Sequence, residues 1–363
     1  MKKYIKYFLL IFWVLGIILY VQAKGNVQFA EWYATTIYPP ISKGINVVMS
    51  FIPFSLGEFI IILGVIGVIV YIITNIVFII KKKDQRGMVV LNFIVNPILL
   101  AGVLFFLYMT NSGVNAYRQT FADTAGFVTK QGTTQELTNL CYILAEQANQ
   151  QRLNVDADEY NVAVFAQNET IDDIEKYSKD SYDTIGELYP TLTKGYGETK
   201  SLLSSSVFSS TQLTGFFFPY TFEANVNTAI PDYTIPFTMC HELSHLRGYM
   251  KEDEANFLAY LVCQNSYDSM TQYSGTFTAF IHATNALSGQ DTAAYQQVLS
   301  TLDTGVQNDI TANDKYWSSY KGVMADTAQS VNDTYLKAID QTNGVESYGK
   351  MVDLLLAYYS DYV

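Results

Sequence analysis

TMCHELSHLRGYMKEDEANFLAYL, Thr238 to Leu261, holds two of the three histidines in a chain of 363 residues. They stand four apart, with a glutamate directly after the first. On a helix, positions four apart share a face, so His241 and His245 project together. Two neutral imidazoles at that spacing fit two corners of a tetrahedral zinc site. Glu242 then stands where a carboxylate can take a proton from a water at the metal. The plainer alternative is a helix with two incidental histidines, but in so histidine-poor a chain the pairing points to Zn2+ as a cofactor. The flanks agree. IPFTMC before the motif is uncharged, as expected of a helix buried under a cleft, and Gly248 is placed to end the helix as a C-terminal cap.

A third ligand is required. The pattern H-E-x-x-H-x-x-G-x-x-H matches through Gly248 but then places Lys251 where the third histidine belongs, and a protonated lysine cannot bind zinc. The other zinc-peptidase pattern takes a glutamate from the next helix, often as E-x-x-x-D. EDEAN (Glu252 to Asn256) fits it, with Asn in the last position. Glu252 is the expected ligand, and Asn256, one turn later, the carbonyl acceptor that orients His241. Glu254 is the rival. Ala255, Asn256 and Ala259 share the face of Glu252 and let a second helix approach closely. The face of Glu254 carries Phe257, Leu258 and Leu261, which read as core.

Upstream, GFFFPYTFEANVNTAI (Gly215 to Ile230) is rich in aromatic and β-branched residues and reads as a strand or hairpin broken by Pro219. Its plainer reading is an ordinary sheet strand. The sharper one, which rests on its place before the motif helix and on the resemblance given below, is an edge that pairs with an extended peptide, with Phe216, Phe218, Tyr220 and Phe222 as substrate contacts. NVAVFAQ (Asn161 to Gln167) alternates as a short strand. Thr134 to Arg152 and Thr170 to Leu188 have helical periods, and the chain after Thr238 is mostly helical in pattern. DADE (Asp156 to Glu159) lacks the spacing of a calcium loop and reads as a solvated turn.

Three apolar segments open the chain, at about residues 7–22, 59–80 and 88–109. The last two are long enough to span a bilayer as helices, with Pro97 tolerated as a kink. The first, with MKKYIK before it and VQA after, also matches a cleavable signal peptide, so the anchor has two or three spanning helices. Residues 1–110 carry nine Lys/Arg against three Asp/Glu, and the remainder thirteen against thirty-one. That split reads as a membrane anchor followed by an acidic domain, and it argues against nucleic acid as partner. Lys2, Lys3 and Lys6, then Lys81, Lys82, Lys83 and Arg86, place their ends in the cytoplasm. Residues 1–110 are thus expected as a multi-pass cell-membrane anchor, and 111–363 as an extracytoplasmic domain. Lys24 to Glu58, rich in Trp, Tyr and Phe, reads as a loop at the outer membrane interface. Cys141, Cys240 and Cys263 are too few for a disulfide framework and read as buried thiols, although Cys240 and Cys263 flank the motif and could meet.

GFFFPYTFEANVN, IPFTMCHELSHLRGYMKEDEANFLAYL and VNDTYLKAIDQTNGVESYGKMVDLLLAYY resemble the domain-of-unknown-function 3810 family, which is similar to membrane-anchored gluzincins. The resemblance implies an α+β fold, a mostly helical zincin-like metallopeptidase domain with a small sheet whose edge strand receives a peptide or protein substrate. In the zincin scheme Glu242 is the catalytic base, and an oxyanion stabiliser is expected. His282 and Tyr348 are candidates, each set against a plainer role as a packed side chain. Arg247 and Lys251 read as solvated helix-end cations, with capture of an acidic substrate group as the alternative. The expected function is zinc-dependent peptide-bond hydrolysis. A non-catalytic zinc-binding sensor or interaction module is the alternative, and the intact Glu242 counts against it. A membrane-embedded protease is excluded, because the motif lies about 130 residues beyond the last apolar segment.

Overall fold

Uncharged runs form the first helices. A computed structural model of the chain describes residues 5–129, 132–338 and 350–363. Leu10–Gly25 (α1) leads through Val27–Trp32 (α2) and a π-helical turn into Tyr38–Met49 (α3), then Leu56–Lys81 (α4) and Arg86–Asn111 (α5). The helical spans Lys6–Gly25, Leu56–Lys81 and Lys83–Asn111, which contain α1, α4 and α5, are long and apolar enough to cross a membrane. Their large side chains, such as Ile18, Leu63 and Leu100, face outward, as lipid-facing side chains do. Helix α1 packs closely on α5. A methyl group at Gly102 would fall 2.3 Å from the Trp13 ring, and one at Gly16 2.7 Å from Phe105, a close approach that small residues permit. Pro97 deprives the Phe93 carbonyl of its helical donor. The Tyr71 hydroxyl of α4 reaches that carbonyl at 3.2 Å, and that of Asn92 at 3.1 Å.

The segment expected as an interfacial loop is helical and packs inward. Pro39 and Pro40 fit the first turn of α3, where their missing N–H groups cost nothing. Tyr38, Ser42 and Asn46 then recur every fourth residue on one buried face. The Tyr38 hydroxyl donates to the Leu246 carbonyl (3.0 Å), Ser42 bonds the Tyr196 hydroxyl (2.7 Å), and Asn46 Nδ2 donates to the Phe222 carbonyl (2.8 Å). Every partner lies beyond residue 111, so the anchor and the remainder share one packed interface.

Beyond the anchor, the chain forms Phe121–Ala125 (α6), Thr134–Arg152 (α7), Ile171–Leu188 (α8), Lys200–Ser201 (β1), Ser205–Ser210 (α9), Gly215–Phe218 (β2) and Glu223–Val226 (β3). The helices Ile235–Leu246 (α10), Glu252–Gln264 (α11), Ser269–Ser288 (α12), Thr292–Leu299 (α13), Thr304–Ser318 (α14), Val323–Ala338 (α15) and Lys350–Tyr358 (α16) follow. Capping boxes fix the starts of α7 and α8, through Thr133 with Glu136 and Thr170 with Asp173. The sheet order is β1-β3-β2, with β1 parallel and β2 antiparallel to β3. The fold is therefore mostly helical with a small sheet. The expected strand at Asn161 to Gln167 is absent from this sheet, with only an isolated bridge between Ala157 and Ala163. There Asp158 accepts the amides of Tyr160 and Val162, closing a tight turn, and the Ala163 amide goes to Asp309.

Helix α10 is the centre of the molecule. Every residue in it but His241 is buried, packed among the sheet, α8, α11 and α12. A helix covered on all sides carries little charge, hence IPFTMC. Pro236 is accommodated in its first turn, and Ser274 of α12 accepts the neighbouring Phe237 amide at 3.0 Å. All three cysteines are buried, free thiols.

Candidate metal centre

Helix α10 ends at Leu246, and Gly248 adopts φ +88°, a left-handed conformation that glycine takes without cost. The reversal has a chemical consequence. It brings the Tyr249 carbonyl back to His245, whose Nδ1 donates to it at 2.7 Å. With the proton fixed on Nδ1, the Nε2 lone pair of His245 faces His241, whose own Nε2 is 3.0 Å away. The short connection then starts α11 with Glu252 over the pair. Its two oxygens lie 3.3 Å from His241 Nε2 and 3.6 Å from His245 Nε2. One ligand atom from each of His241, His245 and Glu252 falls within 4.8 Å of the others, and these three could hold a metal ion.

The charges respond to that convergence. Burial lowers the His245 pKa to about 4. Burial also opposes charge on His241, but the hydrogen-bonded Glu252 carboxylate prevails and raises its pKa. Burial would raise Glu252, yet the two imidazoles hold it down to about 2. An ionised carboxylate facing two ring nitrogens is a donor set that could hold a cation.

Asn256 stands beside His241 and favours a proton on its ring, although neither His241 Nδ1 nor Asn256 Nδ2 has a well-formed hydrogen bond. Glu254 is elsewhere. It is buried on the far face of α11, where Oε1 accepts the Phe121 amide at 2.9 Å and burial pushes its pKa up to about 7. The helical-face reasoning that preferred Glu252 agrees with this geometry.

Glu242 is buried next to these three residues, with burial pushing its pKa up to about 8 and Oε2 lacking a hydrogen-bond partner. Its carboxylate packs on the start of β2, where only Gly215 leaves room for it. An open cleft of about 660 Å³ runs past these groups, lined by Gly215, Phe216, Phe217, His241, Glu242 and Glu252 among others. His282 of α12 lines the same cleft, and the nearby His241 adds to burial in lowering its pKa to about 4.

The aromatic stretch divides. Phe216 lines the cleft, as does Phe217, but Phe218, Tyr220 and Phe222 do not. Pro219 ends the strand after four residues, and Phe222, at φ +54°, turns its ring into the core against Tyr38. Phe218 packs on Gly57 and Tyr220 reaches the Leu104 carbonyl (3.3 Å), so both rest on the anchor. Tyr348 lies outside the described residues. Arg247 is neither solvated nor in the cleft. Its guanidinium is buried 3.8 Å over the Tyr182 ring and donates to the Leu243 and Thr193 carbonyls, bolting α8 to the end of α10. Lys251 precedes α11 and does not line the cleft.

With this geometry in place, comparison with known proteins identifies the family. The chain belongs to the family described as Protein of unknown function (DUF3810), whose profile matches residues 33–356. No curated protein and no solved structure matches it.

Proposed function

We propose that the chain is a membrane-anchored zinc metallopeptidase of the gluzincin type, with a zincin-like fold beyond the anchor. The observation that carries this reading is the meeting, in one open cleft, of a His241–His245–Glu252 ligand set, the buried Glu242 and the edge strand β2. Two imidazole nitrogens and one carboxylate form a donor set suited to zinc. The tautomer of His245, fixed by Tyr249, turns the right nitrogen toward it.

When bound, zinc supplies Lewis-acid polarisation of the scissile carbonyl and a water acidic enough to lose a proton near neutral pH. Glu242, without a hydrogen-bond partner on Oε2, would take that proton in its ionised form, which a bound cation beside it favours, and return it to the leaving amine. The peptide is held by main-chain groups. Asn227 N donates to Thr214 O at 2.8 Å, so in the antiparallel ladder Thr214 and Phe216 bond to β3. The intervening Gly215 and Phe217 direct their N–H and C=O groups outward, free for an added strand. His282 is the donor this reading assigns to the developing oxyanion. The lysine clusters at the ends of the apolar helices support a cleft on the outer face of the cell membrane.

A purely structural zinc site would use neither Glu242 nor the cleft. The full chain, purified in detergent, should hold about one zinc per molecule by elemental analysis, as a three-ligand site would. Absence of zinc after purification in zinc-supplemented buffer would sink the reading.

A further inference from the structure

We infer that the polypeptide this cleft receives is the juxtamembrane segment of a membrane-anchored chain, bound within a few residues of its own spanning helix. The inference rests on the peptidase reading for what happens to that polypeptide, but not for where it lies. Position carries it. The edge strand begins at Gly215, against Glu242, and ends three residues later at Phe218, whose ring packs on Gly57 in the first turn of α4. Three residues of strand span about 10 Å. The reacting centre therefore sits about that far from the end of a helix apolar enough to cross the membrane.

A second spanning helix reaches the cleft independently. Tyr108 and Ser112, at the end of α5, line it, and Ser112 Oγ lies 3.2 Å from Met250 Sδ, another lining residue. The hairpin turn is fixed between both helices. Asn111 Nδ2 donates to the Pro219 carbonyl (2.9 Å), and Tyr220 reaches the Leu104 carbonyl. On the other side, Glu223 of β3 accepts the Leu56 and Gly57 amides (3.1 and 2.8 Å) at the start of α4. Carboxylate capping of a helix start is a strong, oriented contact. The strand is thus bolted at both sides to the spanning helices, and the cleft has a fixed height above the bilayer. A chain emerging from the membrane reaches β2 after about three to eight extended residues. A soluble peptide must find the same strand without that placement.

The test uses the full chain in vesicles of phosphatidylethanolamine and phosphatidylglycerol. The probe is a single apolar helix followed, on the side of residue 111, by four copies of one ten-residue sequence of alternating apolar and small residues. Cleavage products are mapped by mass spectrometry. In parallel, the Glu242→Gln chain with a photo-crosslinker at Gln212, a residue lining the cleft, reports binding without hydrolysis. Cleavage and crosslinks should fall at least tenfold more often in the first copy than in the fourth. An even spread over the four copies would overturn the inference while leaving the peptidase intact. Crosslinks confined to the first copy with no cleavage by the wild-type chain would remove the peptidase and keep the juxtamembrane site. Absence of both crosslinks and cleavage would remove the inference as well.

Discussion

A methyl group on Gly215 would lie 2.8 Å from Oε1 of Glu242 and 2.8 Å from the Asn225 carbonyl. The edge strand and the buried carboxylate thus touch with no space for a side chain. Gly215→Ala must move either Glu242 or β2, and crowding of this kind costs about 1–3 kcal/mol. We expect it to retain zinc, to melt at lower temperature and to lose at least tenfold in peptide hydrolysis. Undiminished hydrolysis would show that this contact does not position Glu242.

Glu252 and Glu254, two positions apart on α11, should separate cleanly. Glu252→Ala leaves two imidazoles and should lose zinc to a weak chelator, whereas Glu254→Ala, which loses a contact to the Phe121 amide, should keep it. Asn256→Ala should fall between, since loss of a group that orients a ligand costs about 10–100-fold in affinity. Metal retention against graded chelator at one pH reads all three. A larger loss from Glu254→Ala would reverse the assignment.

The anchor should contribute to the stability of the part it carries. Asn46 donates to the Phe222 carbonyl and accepts the Gly197 amide at 2.7 Å. Asn46→Ala orphans both, at about 1–3 kcal/mol for each buried group left unpaired. Thermal unfolding of the full chain in detergent should shift down accordingly, and a fragment beginning at Asn111 should be less stable still. An unchanged melting temperature for Asn46→Ala would contradict the shared interface.

Glu175, buried on α8 and accepting from Ser201 Oγ at 3.0 Å, has its pKa pushed up to about 8 by burial. The folded chain holds a proton there that the unfolded chain releases near the ordinary carboxylate pKa. Its contribution to stability is complete below about pH 4.5 and lost as pH rises to about 8. Glu175→Gln carries no such charge. The stability difference in favour of the variant should grow from near zero at about pH 4 to a plateau of about a few kcal/mol above about pH 8. A difference that is flat with pH would exclude a protonated Glu175.

The cluster of His241, His245 and Glu252 is legible in the sequence because a helix converts spacing into direction. His241, His245 and Glu252 follow from positions four apart and from the small residues beside Asn256. Contacts between distant segments leave no such mark. Gly215 looks like any glycine before a strand, and its meaning lies in a carboxylate brought there by the fold. The Tyr249 carbonyl is main chain and has no residue signature, although Gly248 signalled the turn that aims it. The face of Tyr38, Ser42 and Asn46 is polar enough to pass for a loop, because it is buried through hydrogen bonds rather than apolar area. The strand reading runs too long at Tyr220 and Phe222, because Pro219 ends β2 at Phe218. Arg247 was expected in solvent, and the ring of Tyr182 that covers it lies 65 residues away in the sequence.

The central claim is hydrolysis through Glu242 at a zinc site, and digestion of a peptide library by the full chain tests it most directly. Wild-type protein and Glu242→Gln would be loaded to equal zinc content, and cleavage of the library followed by mass spectrometry. The account predicts discrete cleavage by the wild type, abolished by chelation, and a loss of at least a hundredfold in the variant, since positioned proton transfer contributes about 10²–10⁴-fold. Equal cleavage by both proteins, or none by zinc-loaded wild type on soluble and membrane-anchored libraries alike, would contradict it.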